Sequence, residues 1–223
     1  MPRVLFVFTS ANKTLTGSPT GWWMSEAAHP YYILHGKVDV DFASPKGPNP
    51  PVDEASTREP IDEESMRFWK DPEVKEKLAS ARKLSDIDSN DYSAVFYVGG
   101  HGPMLDLATD LDNIKLANAF FRSGKITSAV CHGPGALVGV TDASGKSIFA
   151  GRNVTGLSDT EEVIFDGVGR IPFLLEDRIK ELGGRYSKGA DFTTHVVVDG
   201  NVITGQNPTS ALAVGHAILK ALN

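Results

Sequence analysis

Residues 3–9 read RVLFVFT, and every position from Val4 to Phe8 is apolar. A strand with one face in water alternates apolar and polar residues, whereas a strand covered on both faces is apolar throughout. Strands of the second kind occur in parallel sheets that lie between layers of helices. This stretch therefore predicts a central parallel strand in an α/β protein.

Patterns typical of strands and of helices alternate along the rest of the chain. The predicted strands are residues 3–9, 38–43, 94–98, 126–130, 153–155, 195–198 and 202–204, and the predicted helices are residues 22–34, 73–84, 113–122, 133–140, 172–182 and 208–222. The last two strands flank a glycine-containing turn and are predicted to form a hairpin. Ser158 and Glu161 have the spacing of a capping box, which predicts that a helix begins there. This order predicts a three-layer α/β sandwich around a mostly parallel sheet.

One segment interrupts this alternation. Residues 45–51 contain four prolines, which cannot continue a strand, and residues 53–90 are rich in Asp, Glu, Lys and Ser. We predict a single domain over residues 1–223, with a charged, proline-rich insertion on its surface at residues 45–90. The sequence leaves open whether this insertion shapes a pocket mouth or an interface.

Charge and composition exclude several classes of function. Lys and Arg total 22 against 28 for Asp and Glu, giving a net charge of −6, so we predict no binding of nucleic acid or of a membrane surface. No apolar run approaches the roughly 20 residues that span a bilayer. The first ten residues lack the features of a secretory leader, so we predict a cytoplasmic location, with the nucleus as a second candidate. The single cysteine, Cys131, permits neither an internal disulfide nor a cysteine-based zinc site.

Cys131 lies in a segment with the pattern of a nucleophile elbow. Residues 129–133 read AVCHG between a predicted strand and a predicted helix, with small residues two positions before and after the cysteine. Only small flanking residues permit so sharp a turn. The N-terminus of the following helix stabilises negative charge, so we predict an ionised thiol with a lowered pKa. The alternative is a buried cysteine that acts only as a small apolar side chain.

Chemistry at such a thiol requires an imidazole to move protons and a group that orients the imidazole. His132 is adjacent to the cysteine and titrates near neutral pH. The candidates for orienting it are three acidic residues that follow the strand predicted at residues 153–155, namely Asp159, Glu161 and Glu162. The backbone N–H groups of Gly99, Gly100 and His132 are candidates to bind a developing oxyanion.

Motifs for the common cofactors are missing from the sequence. No predicted strand is followed by GxGxxG, and neither GxxxxGK[ST] nor HExxH occurs. We therefore predict no cofactor and no metal ion.

Four segments together resemble one family. They are residues 97–102 (YVGGHG), residues 129–134 (AVCHGP), residues 155–162 (TGLSDTEE) and residues 205–208 (GQNP). In this order, and over nearly the whole chain, they are similar to the glutathione-independent glyoxalases, also called D-lactate dehydratases. These form the heat-shock-chaperone branch of the class I glutamine amidotransferase-like superfamily, which also includes the Parkinson's-associated protein deglycase.

The resemblance implies a fold and a set of site residues. The fold is a flavodoxin-like amidotransferase domain, and two copies form a homodimer. The catalytic residues are Cys131, His132 and Glu162, with Glu26 of the first helix facing the sulfur. The amphipathic pattern of that helix taken alone predicts instead that Glu26 is exposed. Whether the carboxyl or the thiol of this pair holds a proton is left open.

The resemblance also implies an activity. This is the conversion of methylglyoxal, or another 2-oxoaldehyde, and water to D-lactate, or the matching 2-hydroxy acid. It is a cofactor-independent lyase reaction that passes through a hemithioacetal on Cys131. The alternatives are a stress-response holdase chaperone that binds unfolded client proteins, a protein deglycase, and a redox-sensing thiol protein.

Overall fold

The computed structural model describes residues 1–58 and 60–223. Its strands are β1 (Arg3–Val7), β2 (Asp39–Ser44), β3 (Arg82–Lys83), β4 (Ala94–Tyr97), β5 (Ile126–Val130), β6 (Asn153–Val154), β7 (Arg185–Tyr186), β8 (Val196–Asp199) and β9 (Val202–Gly205). Its helices are α1 (Met24–Leu34), α2 (Glu63–Lys70), α3 (Pro72–Ala79), α4 (Gly102–Leu105), α5 (Leu111–Arg122), α6 (Asp159–Ile164), α7 (Leu175–Glu181) and α8 (Ala211–Leu222).

Seven strands form one sheet in the order β3-β2-β1-β4-β5-β9-β8, and β6 pairs with β7 separately. Within the seven-stranded sheet the pairs are parallel except for the hairpin of β8 and β9. The predicted α/β fold with a mostly parallel sheet is confirmed. Because parallel strands end at the same edge, the loops after β1, β4 and β5 meet there.

The central strands bury both faces. In β1, Val4 and Phe6 belong to one apolar cluster and Leu5 and Val7 to another, and all four are fully buried. The first cluster contains residues of α1, α2, α3 and α8, and the second contains residues of α4, α5 and α7. This is the three-layer arrangement that the uninterrupted apolar run predicts. No helix in the described ranges is long and apolar enough to cross a bilayer.

Residues 45–90 contribute to the core and the sheet as well as to the surface. They contain the unpredicted helix α2, whose N-terminus is capped by the Asp62 side chain. Phe68 of this helix is fully buried against the ring of Tyr31. The helix predicted over residues 73–84 ends at Ala79, and Arg82–Lys83 instead form β3 at the edge of the sheet. A very short, charged strand is typical of a sheet edge, where it discourages pairing with other chains.

The structure differs from the predicted helices at two further places. The helix predicted over residues 133–140 is a 3-10 helix over Gly133–Leu137, since glycine and proline are the poorest α-helix formers. The helix predicted over residues 172–182 begins only at Leu175. The capping box is confirmed, because the side chain of Ser158 accepts from the backbone of Glu161 and the Glu161 carboxylate accepts from the backbone of Ser158.

Candidate active site

The sharp turn predicted at Cys131 is present. Cys131 directly follows β5 and has a φ of 58°, a left-handed conformation that residues other than glycine rarely adopt. Gly133 permits the close packing behind the turn, because a Cβ there would lie 2.5 Å from the carbonyl oxygen of Tyr97. The strained residue is therefore the candidate nucleophile itself, and it is 3% exposed.

Cys131, His132 and Glu162 form a continuous chain of contacts. The Sγ of Cys131 lies 3.5 Å from Nδ1 of His132, and Nε2 of His132 lies 2.6 Å from Oε2 of Glu162. An ionised carboxylate only accepts hydrogen bonds, so Nε2 of His132 donates and carries the proton. Nδ1 is then free to accept a proton from the sulfur. Of the three acidic candidates, Glu162 is the one that contacts the imidazole.

Glu161 has different partners, and its hydrogen bonds hold α6 against two loops. Its buried carboxylate accepts five hydrogen bonds of 2.8–3.0 Å. The donors are the backbone and hydroxyl of Ser158, the backbone of Phe192 and the side-chain amides of Gln206 and Asn207. The GQNP segment at residues 205–208 therefore supplies donors that fix the helix carrying Glu162.

We expect replacement of Glu161 with alanine to destabilise the fold. The substitution leaves buried donors without an acceptor, and each such donor costs about 1–3 kcal/mol before the structure relaxes. The free energy of unfolding, measured with urea, should fall by about 3 kcal/mol or more, because several buried donors lose their acceptor together. The matched control is Glu181→Ala, which removes a carboxylate paired with Arg178 at the surface and should change stability by less than about 0.5 kcal/mol. Equal losses in the two variants would contradict the anchoring role of Glu161.

Glu26 of α1 is completely buried beside the sulfur, so the exposure predicted from the amphipathic pattern is wrong. The reason is that the first turn of α1 packs over the edge of the sheet where β4 and β5 end. Gly99 provides the room, because a Cβ there would overlap Oε2 of Glu26 and lie 2.9 Å from Cβ of Cys131. Among the described residues, neither carboxyl oxygen of Glu26 has a hydrogen-bond partner of standard geometry.

The sulfur faces a narrow crevice. Its lining residues are Trp23, Glu26, Gly100, His101, Cys131, His132, Phe165 and Pro208. The space open to the centre of a water molecule is about 20 Å³, which corresponds to about one water molecule. The partly exposed rings of Trp23 and Phe165 lie 6.1 Å apart, centroid to centroid. The thiol is thus buried but not enclosed by aliphatic side chains.

The predicted oxyanion donors divide between two groups. The backbone N–H groups of Gly100 and His132 approach the Cys131 sulfur. The backbone N–H of Gly99 approaches the Glu26 carboxyl instead. The N–H groups of Gly100 and His132 therefore remain candidates for binding negative charge that develops near the sulfur. The N–H of Gly99 interacts with the Glu26 carboxyl.

His101 is a site residue that the sequence patterns did not single out. Its Nε2 lies 2.8 Å from Oε1 of Glu162, and its ring centroid lies 4.4 Å from that of His132. The sequence feature that could have indicated His101 is the GGHG motif at residues 99–102. A glycine turn that contains a histidine does not, however, specify which side chain the histidine contacts. His101, His132 and Glu162 also place potential metal-ligand atoms within 4.8 Å of one another. Both Nε2 atoms face the carboxylate as donors, so a metal ion there would have to displace both protons.

Comparison with known proteins assigns the chain to a family. A family model described as the DJ-1/PfpI family matches residues 25–221. The chain belongs to the DJ-1/PfpI family. This DJ-1/PfpI protein is 29% identical to Glyoxalase 3 of Candida albicans, in an alignment that covers 99% of this chain and 98% of that protein. It is 28% identical to the glutathione-independent glyoxalase HSP31 of Saccharomyces cerevisiae, again over 99% and 98% of the two chains.

Solved structures agree with this assignment. The Rapid Encystment Protein 24 KDa of Francisella tularensis superposes with a TM-score of 0.95 at 33% identity, and the match covers 100% of both chains. Glyoxalase III from Candida albicans superposes with a TM-score of 0.88 at 28% identity, covering 99% of this chain and 97% of that one. The resemblance inferred from the four sequence segments is confirmed.

In this DJ-1/PfpI site, burial and two imidazoles set the charges of Glu162 and His132. Burial raises the pKa of Glu162, but the charges and hydrogen bonds of His132 and His101 outweigh it and hold this pKa well below its usual range. Burial lowers the pKa of His132, against the opposing charge of Glu162. The resting pair is therefore a carboxylate and a neutral imidazole protonated on Nε2.

The ionised thiol predicted for Cys131 is wrong for the resting DJ-1/PfpI protein. Burial raises the pKa of Cys131 well above its usual value, and the charge and hydrogen bonding of Glu26 raise it further. The N–H groups of Gly100 and His132 oppose this with a smaller effect. Burial also raises the pKa of Glu26. Burial thus favours the protonated form of each group, and because the ionised form of Glu26 raises the pKa of the thiol, the two groups titrate as a coupled pair.

We expect Glu26→Gln to stabilise the protein, and to do so increasingly as the pH rises. A carboxyl whose pKa is raised by folding contributes most below its unfolded pKa of about 4.3, and its contribution falls as the pH rises towards the folded pKa. Between these two pKa values the free energy of unfolding of the wild type falls by about 1.4 kcal/mol per pH unit. Glutamine does not titrate, so the stability difference between the variant and the wild type should grow as the pH rises above about 4 towards the raised pKa of Glu26. Urea unfolding across this range measures it, and a difference that is independent of pH would contradict the raised pKa.

Proposed function

We propose that this protein is a glutathione-independent glyoxalase, a lyase of the D-lactate dehydratase type. It converts methylglyoxal and related 2-oxoaldehydes, with water, to D-lactate and the matching 2-hydroxy acids. The main support is the chain of contacts from the Cys131 sulfur through His132 to Glu162, with the Glu26 carboxyl beside the same sulfur. The names of the two full-length relatives, Glyoxalase 3 and glutathione-independent glyoxalase HSP31, agree with this activity.

The reaction begins with addition of the Cys131 thiol to the aldehyde carbon. A bond forms between sulfur and carbon, and the carbonyl π bond breaks. The sulfur proton passes through Nδ1 of His132, which is 3.5 Å from the sulfur, to the new oxygen. The product is a neutral hemithioacetal. The N–H groups of Gly100 and His132 stabilise negative charge that develops on this oxygen.

An internal hydrogen transfer follows. His132 removes the hydrogen of the former aldehyde carbon, the electron pair forms a carbon–carbon double bond, and the ketone oxygen takes a proton from Glu26. The resulting enediol then loses its other hydroxyl proton to Glu26 and gains a proton on the former ketone carbon from His132. One carbon is oxidised and its neighbour is reduced by the same electron pair, so the step requires neither nicotinamide nor glutathione.

Hydrolysis completes the cycle. The enediol step leaves the 2-hydroxy acid as a thioester on Cys131, and water adds to its carbonyl with His132 as the general base. The carbon–sulfur bond breaks, the acid leaves and the thiol is regenerated. Because His132 delivers its proton to one face of the planar enediol, the product is a single enantiomer, which we expect to be D.

Entry of the aldehyde requires movement at the crevice. The resting space holds about one water molecule, which is less than the volume of a three-carbon aldehyde. We expect the rings of Trp23 and Phe165, which line this crevice, to separate when substrate binds.

The test is a steady-state assay of the purified protein with methylglyoxal and glyoxal, with and without glutathione. We expect methylglyoxal to be consumed at a rate that does not depend on glutathione. An enzymatic assay specific for one lactate enantiomer should detect D-lactate in equal amount. A strict requirement for glutathione, or racemic lactate, would contradict the proposal.

A holdase activity is a second candidate, supported by exposed apolar side chains near the crevice. These residues are Val163, Ile164, Val168 and Phe192. Such a surface can bind the apolar segments of unfolded client proteins without using the thiol. A homodimer and a cytoplasmic location complete the proposal, and sedimentation and cell fractionation test them.

A further inference from the structure

His101 is the second imidazole on the Glu162 carboxylate. Its Nε2 lies 2.8 Å from Oε1, while Nε2 of His132 lies 2.6 Å from Oε2. Each carboxylate oxygen therefore has its own imidazole donor. The side chain of Glu162 is 3% exposed and that of His101 is 17% exposed, so neither hydrogen bond is readily replaced by bulk water.

The backbone around His101 is packed too closely for other residues. Gly100 has a φ of 91°, and a Cβ there would overlap the carbonyl oxygen of Gly21. A Cβ on Gly102 would overlap the Thr9 side chain. This packing holds the turn in place and directs the imidazole of His101 towards α6.

Gly167 packs against the His101–Glu162 pair from the other side. A Cβ at this position would overlap Oε1 of Glu162 and lie 2.7 Å from Nε2 of His101. The backbone at residue 167 thus covers the hydrogen bond between the two side chains. A side chain at residue 167 would therefore displace the His101–Glu162 pair itself.

We infer that His101 is a positioning residue for the proposed reaction. By holding Oε1 of Glu162, it keeps Oε2 directed at His132 and so keeps the His132 proton on Nε2. The terminal torsion of a glutamate is broad and weakly restrained by itself. A carboxylate bound at one oxygen can therefore rotate, whereas one bound at both oxygens cannot. Nδ1 of His132 then stays free to accept the proton of the Cys131 thiol.

The test compares three variants. His101→Phe keeps a ring beside His132 but removes the donor, and His101→Ala removes both. His101→Gln places an amide N–H at a similar distance from the backbone and restores the donor. The control is His29→Ala, which removes a histidine–carboxylate pair with Asp62 outside the crevice.

The first measurement is ¹⁵N NMR of the imidazole nitrogens, which reports the His132 tautomer without substrate. We expect the Nε2–H form in the wild type, the Gln variant and the control, and a mixture of tautomers in the Phe and Ala variants. The second measurement is turnover of methylglyoxal. A misplaced catalytic group costs up to about 10²-fold, so kcat should fall about 10- to 100-fold in the Phe and Ala variants, with KM within about twofold. The Gln variant should keep at least about a third of the wild-type kcat.

The inference depends on the proposed function only for the second measurement. If the wild-type protein has no glyoxalase activity, the proposed function is wrong. A change of the His132 tautomer in the His101 variants would still support the positioning role. An unchanged His132 tautomer in a folded Phe or Ala variant would overturn the inference. So would a Gln variant with a mixture of tautomers. If the Ala variant does not fold, the Phe and Gln variants decide the question.

Discussion

Replacement of Cys131 with alanine removes the proposed glyoxalase activity. Alanine fits the buried site at the end of β5, so the fold should persist while the only thiol in the chain is lost. Without a nucleophile no hemithioacetal forms, and loss of such a group lowers kcat by at least about 10⁴-fold in enzymes with a comparable triad. Methylglyoxal consumption without glutathione measures the effect, and circular dichroism checks the fold.

The same variant separates the enzyme from the holdase. The apolar residues that support the second candidate, such as Val163 and Phe192, do not include the thiol. Suppression of client-protein aggregation should therefore be equal in the wild type and in Cys131→Ala if the protein is also a holdase. Normal turnover in Cys131→Ala would end the enzymatic account. Cys131→Ser is a matched second variant, and it should be nearly as inactive because a hydroxyl ionises far less readily than a thiol.

Glu162→Gln should lower kcat by about 10²-fold or more, because the imidazole loses its orienting acceptor. The carboxylate accepts from Nε2 of both His132 and His101. A glutamine side chain offers one acceptor oxygen and one donor N–H₂ group, so one imidazole must change its tautomer. If His132 changes, its proton moves to Nδ1 and faces the sulfur, where a proton acceptor is needed. The pH profile of kcat/KM and the ¹⁵N imidazole signals report this change.

The matched control for Glu162→Gln is Asp159→Asn on the same helix. Asp159 lies in the first turn of α6, and its backbone N–H donates to Glu176. We expect turnover within about twofold of the wild type, as for substitutions outside the site. Wild-type rates in Glu162→Gln, together with a loss in Asp159→Asn, would transfer the orienting role to Asp159.

The spacing of apolar residues predicted most of the fold. In each strand and helix this spacing reflects which faces are covered by a neighbouring layer. The apolar run of residues 3–9 required cover on both faces, and both faces are covered. The segment at residues 45–90 was harder to predict. The Asp62 cap is local, but the burial of Phe68 depends on Tyr31 of α1, which is distant in sequence. Charge alone suggested a surface segment and gave no sign of that contact.

The elbow at Cys131 was predictable because it depends on neighbours in sequence. Small residues two positions away permit the positive φ, and the pattern AVCHG contains them. Glu162 could not be chosen over Glu161 from spacing alone, because successive helical residues point about 100° apart and either direction was open. The family resemblance implied Glu162, and the structure places five donors around Glu161 and two imidazoles at Glu162.

Local sequence patterns are sufficient to predict the α/β layers, the strained turn at Cys131 and the adjacent imidazole, since each pattern lies within one short segment of the chain. The pKa of the thiol and the second imidazole on Glu162 depend instead on residues that are distant in the sequence. Glu26 and His101 come from separate elements, α1 and the turn before α4, and they meet Cys131 and Glu162 only in the folded protein. A pKa depends on burial and on nearby charge. Both are fixed only when those elements pack, and burial raises the pKa of Cys131, whereas the local helix pattern predicted a lowered one.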